Sequence, residues 1–195
     1  NRVMIYVEKV KVLDTPYDKV LKEGFEFTCT EVNLFVGDQG CGKSTLLNMM
    51  HSVSAQLKIS VSDFVKKNGV ETFLFDSEKQ NPRVMNLDQA PDYGAALYSH
   101  FRSHGEVLSE YTVDGINKAK DCVMFFDEPE SGLSINNQYK LVKAIKGAVK
   151  RNCQFFIATH CIPLIESFDV ISIEHLKQMS GEQFINLCKK KANKK

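Results

Sequence analysis

A glycine-rich run, Gly37-Asp38-Gln39-Gly40-Cys41-Gly42-Lys43-Ser44, separates an apolar stretch at Val32–Val36 from a segment carrying Leu46, Leu47, Met50, Val53 and Leu57 at helical spacing. No other feature restricts the fold as much, because the order is a buried strand, a glycine loop and an amphipathic helix. Glycines allow backbone conformations in which several N–H groups turn toward one point. The helix that follows adds the positive end of its dipole. Lys43 supplies a point charge suited to β- and γ-phosphates, and Ser44 a hydroxyl oxygen suited to Mg²⁺. Gly37, Asp38, Gln39, Gly40, Cys41, Gly42, Lys43, Ser44 and Thr45 are the candidate nucleotide contacts. Cys41 is read as a small loop residue without a redox role.

A second chemical element lies at Cys122-Val123-Met124-Phe125-Phe126-Asp127-Glu128, an apolar strand delivering two carboxylates at its C-terminal end. In open α/β sheets ligands bind at that edge. Asp127 is suited to hold Mg²⁺, and Glu128 to polarise the water that attacks a γ-phosphate.

The remaining pattern alternates strands with helices. Strands are expected at Val3–Val12, Gly24–Cys29, Val70–Phe75, Gln154–Ala158 and, last, Val170–Ile173. Helices are expected at Ser44–Leu57, Ala95–Phe101, Glu106–Lys120, Asn136–Arg151, Ile162–Phe168 and Glu182–Lys190. The alternation implies a mainly parallel sheet flanked by helices, with a small N-terminal antiparallel β element and a short helical insertion. The lysine-rich end, residues 189–195, reads as a solvated tail.

Composition excludes several classes. Lys and Arg number 25 against 24 Asp and Glu, a formal net charge of +1, so no global field draws the chain to nucleic acid or acidic membranes. No apolar run is long enough to span a bilayer, and charges interrupt the N-terminal apolar residues, so neither a transmembrane segment nor a signal peptide is expected. The six cysteines show no zinc-ligand spacing and read as reduced thiols, several buried, of a cytoplasmic protein.

Asp127-Glu128-Pro129-Glu130-Ser131-Gly132-Leu133 resembles the Walker B and D-loop segment of ABC-type P-loop ATPases. It is most similar to the soluble group that includes SMC, RecF and overcoming-lysogenisation proteins. Ile157-Ala158-Thr159-His160 puts a histidine directly after a strand, where it resembles the family's switch histidine. Phe101-Arg102-Ser103-His104-Gly105-Glu106 resembles a divergent signature motif, and Gln80 a Q-loop glutamine. Ser134 departs from the Asp of many D-loops. For adenine stacking Tyr6 and Tyr17 are the candidates, and ordinary packing is the favoured role of each.

The resemblance covers roughly residues 30–175 and implies one ABC-like ATPase domain across 1–195, Mg²⁺-dependent ATP hydrolysis, and a head-to-tail homodimer. In it Lys43, Glu128 and His160 act on the γ-phosphate. Ser44, Asp127 and Gln80 serve the metal, and Ser103 and Gly105 of one copy cover ATP held by the other. DNA maintenance, genome defence or a phage-related role is expected, with DNA or a protein effector as partner. The nucleotide-binding subunit of a transporter, and a P-loop small-molecule kinase, are the alternatives.

Overall fold

A computed structural model describes residues 4–12, 21–51, 70–76 and 106–193. Among these, eight strands and five helices follow in chain order. They are β1 Lys9–Lys11, β2 Glu26–Thr28, β3 Val32–Val36, α1 Lys43–His51, β4 Glu71–Asp76, α2 Glu106–Lys118, β5 Cys122–Asp127, α3 Ile135–Val149, β6 Gln154–Ala158, α4 Ile162–Ser167, β7 Val170–Ser172, β8 Lys177–Met179 and α5 Gly181–Ala192.

The main sheet has the order β4-β5-β6-β3-β7-β8. The first five strands in that order run parallel, and β8 pairs antiparallel with β7. β3, β5, β6 and β7 are buried at every residue, as expected where both faces are covered. Alternation of side chains then divides the core in two. Leu34, Val36, Met124, Phe126, Phe155 and Ile157 pack against Leu141 and Ile145 of α3 and Leu164 of α4. Phe35, Val123, Phe125 and Phe156 face the other way, onto Leu46 and Leu47 of α1 and the small β1–β2 sheet.

One buried amide joins that small sheet to the large one. Gln154 is wholly buried at the start of β6. Its Oε1 accepts from the N–H groups of Tyr6 at 3.0 Å and Val7 at 2.8 Å, and its Nε2 donates to the carbonyls of Val7 and Thr30, both at 2.9 Å. This is why, among the described residues, backbone pairing in the strand expected over Val3–Val12 reaches only from Glu8 to Val12: Tyr6 and Val7 give their backbone groups to a side chain instead of to a neighbouring strand.

Two further expectations change. Val170–Ser172 is followed by another strand, β8, whose Lys-Gln-Met sequence is mostly polar and carries no apolar alternation to signal it. The segment read as a solvated lysine tail is helical as far as Ala192. Ser180 accepts from the Gln183 N–H and Gln183 reaches back to the Ser180 N–H, a reciprocal cap that starts α5. The helix expected over Ala95–Phe101 and the C-terminal part of that expected over Ser44–Leu57 lie outside the described residues.

Candidate functional site

Strand register alone brings the two chemical motifs together. Asp76 is level with Asp127, Asp127 with Ala158, and Ala158 with Phe35, so the ends of β4, β5, β6 and β3 form one lateral row. The segments leaving those ends are the glycine loop at 37–42, the acidic turn beginning at Glu128 and the Thr159-His160-Cys161 turn. Backbone bonds tie them down. The Glu128 N–H donates to the Ala158 carbonyl at 2.9 Å, and the Thr159 N–H to the Phe35 carbonyl at 3.2 Å.

The glycine loop has the conformation its composition permits. Gly37 has φ +146°, Gly40 +77° and Gly42 +101°, values that side chains disfavour. A Cβ on Gly37 would also meet the Cys41 Sγ at 2.6 Å. Asp38, Gln39 and Gly40 are exposed, Cys41 and Thr45 half-buried, and Gly42 buried. Lys43 is buried at the start of α1, and its Nζ donates to the carbonyls of Gly37 at 3.1 Å and Asp38 at 3.0 Å. The Ser44 hydroxyl donates to Oδ1 of Asp127 at 2.9 Å, joining the loop directly to the acidic strand end.

The acidic turn is sharp. Glu128 has φ +48°, uncommon for a residue with a side chain, and Gly132 has φ +77°. The Ser131 N–H donates to the Glu128 carbonyl at 3.0 Å, and the Leu133 N–H to the Glu130 carbonyl at 2.9 Å. Oε1 of Glu128 lies 3.7 Å from Nε2 of His160, both side chains being partly exposed. Ser134, in place of the expected Asp, caps α3 by accepting from the Asn137 N–H at 3.4 Å. An aspartate at an N-cap would accept the same kind of bond.

Lys43, Ser44, Asp127, Glu128 and His160 thus share one edge of the sheet. Gln80, Ser103 and Gly105 lie outside the described residues, as does Tyr17. Tyr6 is not an adenine-stacking residue: it is buried beside Gln154 at the opposite, N-terminal end of the strands. Burial, with help from Asp121, pushes its phenol up.

Three neighbours of the site escaped the sequence reading. Asp76 is buried at the end of β4, level with Asp127; an acidic residue closing the Val70–Phe75 pattern was the available signal. Oε1 of Glu130 accepts from the Thr159 hydroxyl and the His160 N–H, each at 2.7 Å. Lys191, near the end of α5, donates to Asp38 Oδ2 at 2.6 Å and Glu174 Oε1 at 2.8 Å. That ammonium holds the Asp38 carboxyl below its usual range. Asp38 and Lys191 are 153 positions apart, so no local pattern announces the pair.

No family model and no curated protein matches the sequence. Solved structures do match in fold. CbiO1 from Clostridium perfringens, part of the CbiONQ ABC transporter complex, aligns with a TM-score of 0.57 at 18% identity, over 93% of this chain and 91% of that one. A nucleotide-free ATP-binding cassette from an ABC transporter aligns with a TM-score of 0.56 at 12% identity, over 93% and 94%. A dimeric bacterial ABC transporter cassette aligns with a TM-score of 0.52 at 12% identity, over 84% and 93%. The chain therefore has the α/β P-loop fold of ABC ATPase cassettes, a mostly parallel sheet with helices on its faces and a small antiparallel sheet beside it.

Proposed function

We propose that this chain binds ATP with Mg²⁺ at the β3–β5 sheet edge and hydrolyses it to ADP and phosphate. The observation that carries this reading is the 2.9 Å hydrogen bond between Ser44 and Asp127, which joins the phosphate-type loop to the acidic strand end. A hydroxyl and a carboxylate are hard oxygen donors of the kind Mg²⁺ takes, and Mg²⁺ is commonly held by one or two protein oxygens plus substrate phosphates and water. Among the described residues no group of three or more His, Cys, Asp or Glu forms a closed metal cage. Bound there, Mg²⁺ would neutralise charge on the β- and γ-phosphate oxygens.

In this reading the chain's own groups divide the work. Backbone N–H groups of residues 37–45 and the Lys43 ammonium bind the phosphates. Glu128 accepts a proton from the attacking water. His160, 3.7 Å from the Glu128 carboxylate, orients the γ-phosphate and that water together. Gln80 assists at the metal, and Ser103 and Gly105 of a second copy cover the γ-phosphate in a head-to-tail dimer. Loss of that phosphate loosens the dimer, a shift between open and closed populations.

Two substitutions test the site. Lys43→Ala is expected to abolish ATP binding, measured by fluorescent-nucleotide titration; unchanged affinity would remove the loop from its role. Glu128→Gln is expected to bind ATP, hydrolyse it slowly and accumulate dimer by light scattering.

For the biological role, Asp127–Leu133 supports a soluble ATPase of DNA maintenance, genome defence or a phage-related process. The transporter-subunit reading is supported by neighbours solved from ABC transporters. Among the described residues no helix is long and apolar enough to cross a membrane, so transport would need a separate membrane partner. Hydrolysis assayed with and without DNA, beside co-purification with membrane proteins, separates the two.

A further inference from the structure

We propose that Glu130 is the positioning residue of this site: its carboxyl holds the Thr159-His160-Cys161 turn and thereby sets where the His160 imidazole stands. The inference rests on the ATPase reading for its kinetic consequence, but not for its geometry.

The turn between Glu128 and Leu133 carries Glu130 to the end of β6. There Oε1 accepts the Thr159 hydroxyl and the His160 N–H, each at 2.7 Å. The Thr159 oxygen in turn accepts the Cys161 N–H at 2.9 Å. One carboxyl oxygen therefore orients three consecutive residues. The His160 side chain is 46% exposed and its recorded side-chain contact is the 3.7 Å approach to Glu128. Its place is set chiefly through its backbone, and that backbone is held by Glu130.

The environment of Glu130 fits this role better than that of a surface acid. Burial pushes its carboxyl up, against hydrogen bonds from Thr159, the His160 N–H and its own backbone that pull it down. Its other oxygen, Oε2, is buried and has no hydrogen-bond partner among the described residues. Withdrawing a carboxyl from water with half its acceptors unused is unfavourable. The interaction that offsets this is the pair of short bonds to the histidine turn. Only an acceptor at the Oε1 position is required, so a neutral amide of the same length should serve as well.

That requirement gives a test with opposed outcomes. E130Q keeps the acceptor; E130D withdraws it by one methylene, about 1.5 Å, beyond hydrogen-bonding reach. The expected results are a turnover within about threefold of wild type for E130Q and at least about tenfold lower for E130D, with KM for ATP unchanged in both. In a His160→Ala background E130D should add no further loss, because it acts through the histidine. Independently of ATP, hydrogen exchange at the His160 amide should quicken at least about tenfold in E130D and stay protected in E130Q. Equal exchange in E130D and wild type, equal loss in E130Q and E130D, or a full E130D effect without His160 would each overturn the proposal. If aspartate prevents folding, E130Q decides alone: retained turnover and protection sustain the role, and their loss overturns it. A wild-type protein without ATPase activity would refute the proposed function, while the exchange measurement would still judge Glu130.

Discussion

Gly37→Ala probes the phosphate loop at its tightest point. Two costs combine there. A φ of +146° lies outside the regions open to residues with a Cβ, and holding alanine in it costs about 1–3 kcal/mol. The added methyl also meets Cys41 Sγ at 2.6 Å, and relieving such an overlap costs about 1 kcal/mol more. The exposed part of the loop, residues 38–40, can absorb both by changing shape, so global stability should fall little. Nucleotide binding must restore the original shape, so the strain appears as lost affinity. About 3 kcal/mol corresponds to a roughly hundredfold higher Kd for ATP. Cys41→Ala removes the sulfur and leaves the torsion, so Gly37→Ala/Cys41→Ala should recover about fivefold to tenfold. Titration with a fluorescent ATP analogue, beside urea denaturation, measures both quantities. Wild-type affinity in Gly37→Ala would refute the reasoning, because a loop that tolerates a methyl there does not use this conformation to bind phosphate.

Gln154→Ala would strand the N–H groups of Tyr6 and Val7 in a buried setting; a loss of about 2–4 kcal/mol by urea denaturation is expected, with the ATP Kd unchanged. Because burial raises the folded-state pKa of Glu130, its proton is bound more tightly in the folded chain than in the unfolded one. The acid therefore favours folding most below its unfolded value, and that contribution declines as pH rises toward the raised folded value. E130Q cannot ionise, so its stability relative to wild type should rise over that interval in denaturation curves taken from pH 4 to 8. A Cβ on Gly181 would overlap the carbonyl oxygen of Ile165, so Gly181→Ala should shift α5 and weaken the Lys191–Asp38 pair, read as a changed environment of the Lys191 ammonium by NMR. A thiol reagent should label Cys188 fastest and Cys41 next, reaching Cys29, Cys122, Cys153 and Cys161 only on unfolding, because those four are buried and the first two are not.

Much of this architecture was readable from local pattern. Val32–Val36 and Gln154–Ala158 are strands with the expected boundaries, because strands covered on both faces are mainly apolar, and their two polar residues, Asn33 and Gln154, are buried with their amides hydrogen-bonded. α3 begins at Ile135, one residue before its predicted start and directly after Ser134, whose capping role is local chemistry. β8 was missed because a polar edge strand has no periodicity to distinguish it from a loop. Tyr6 packs in the core, the ordinary role weighed for it, but only its burial separates that from adenine stacking, because an aromatic ring looks alike in sequence in either setting.

The order of residues by itself determined the strand–loop–helix that shapes phosphate-binding glycines and the apolar strand that ends in Asp127 and Glu128. Those are short-range properties, set by glycine conformations and by which side chains can be buried. Only the tertiary structure decided that Ser44 meets Asp127, that Glu130 holds His160 and that Lys191 reaches Asp38. Each of those pairs depends on strand order and register, which arise when distant segments share one core.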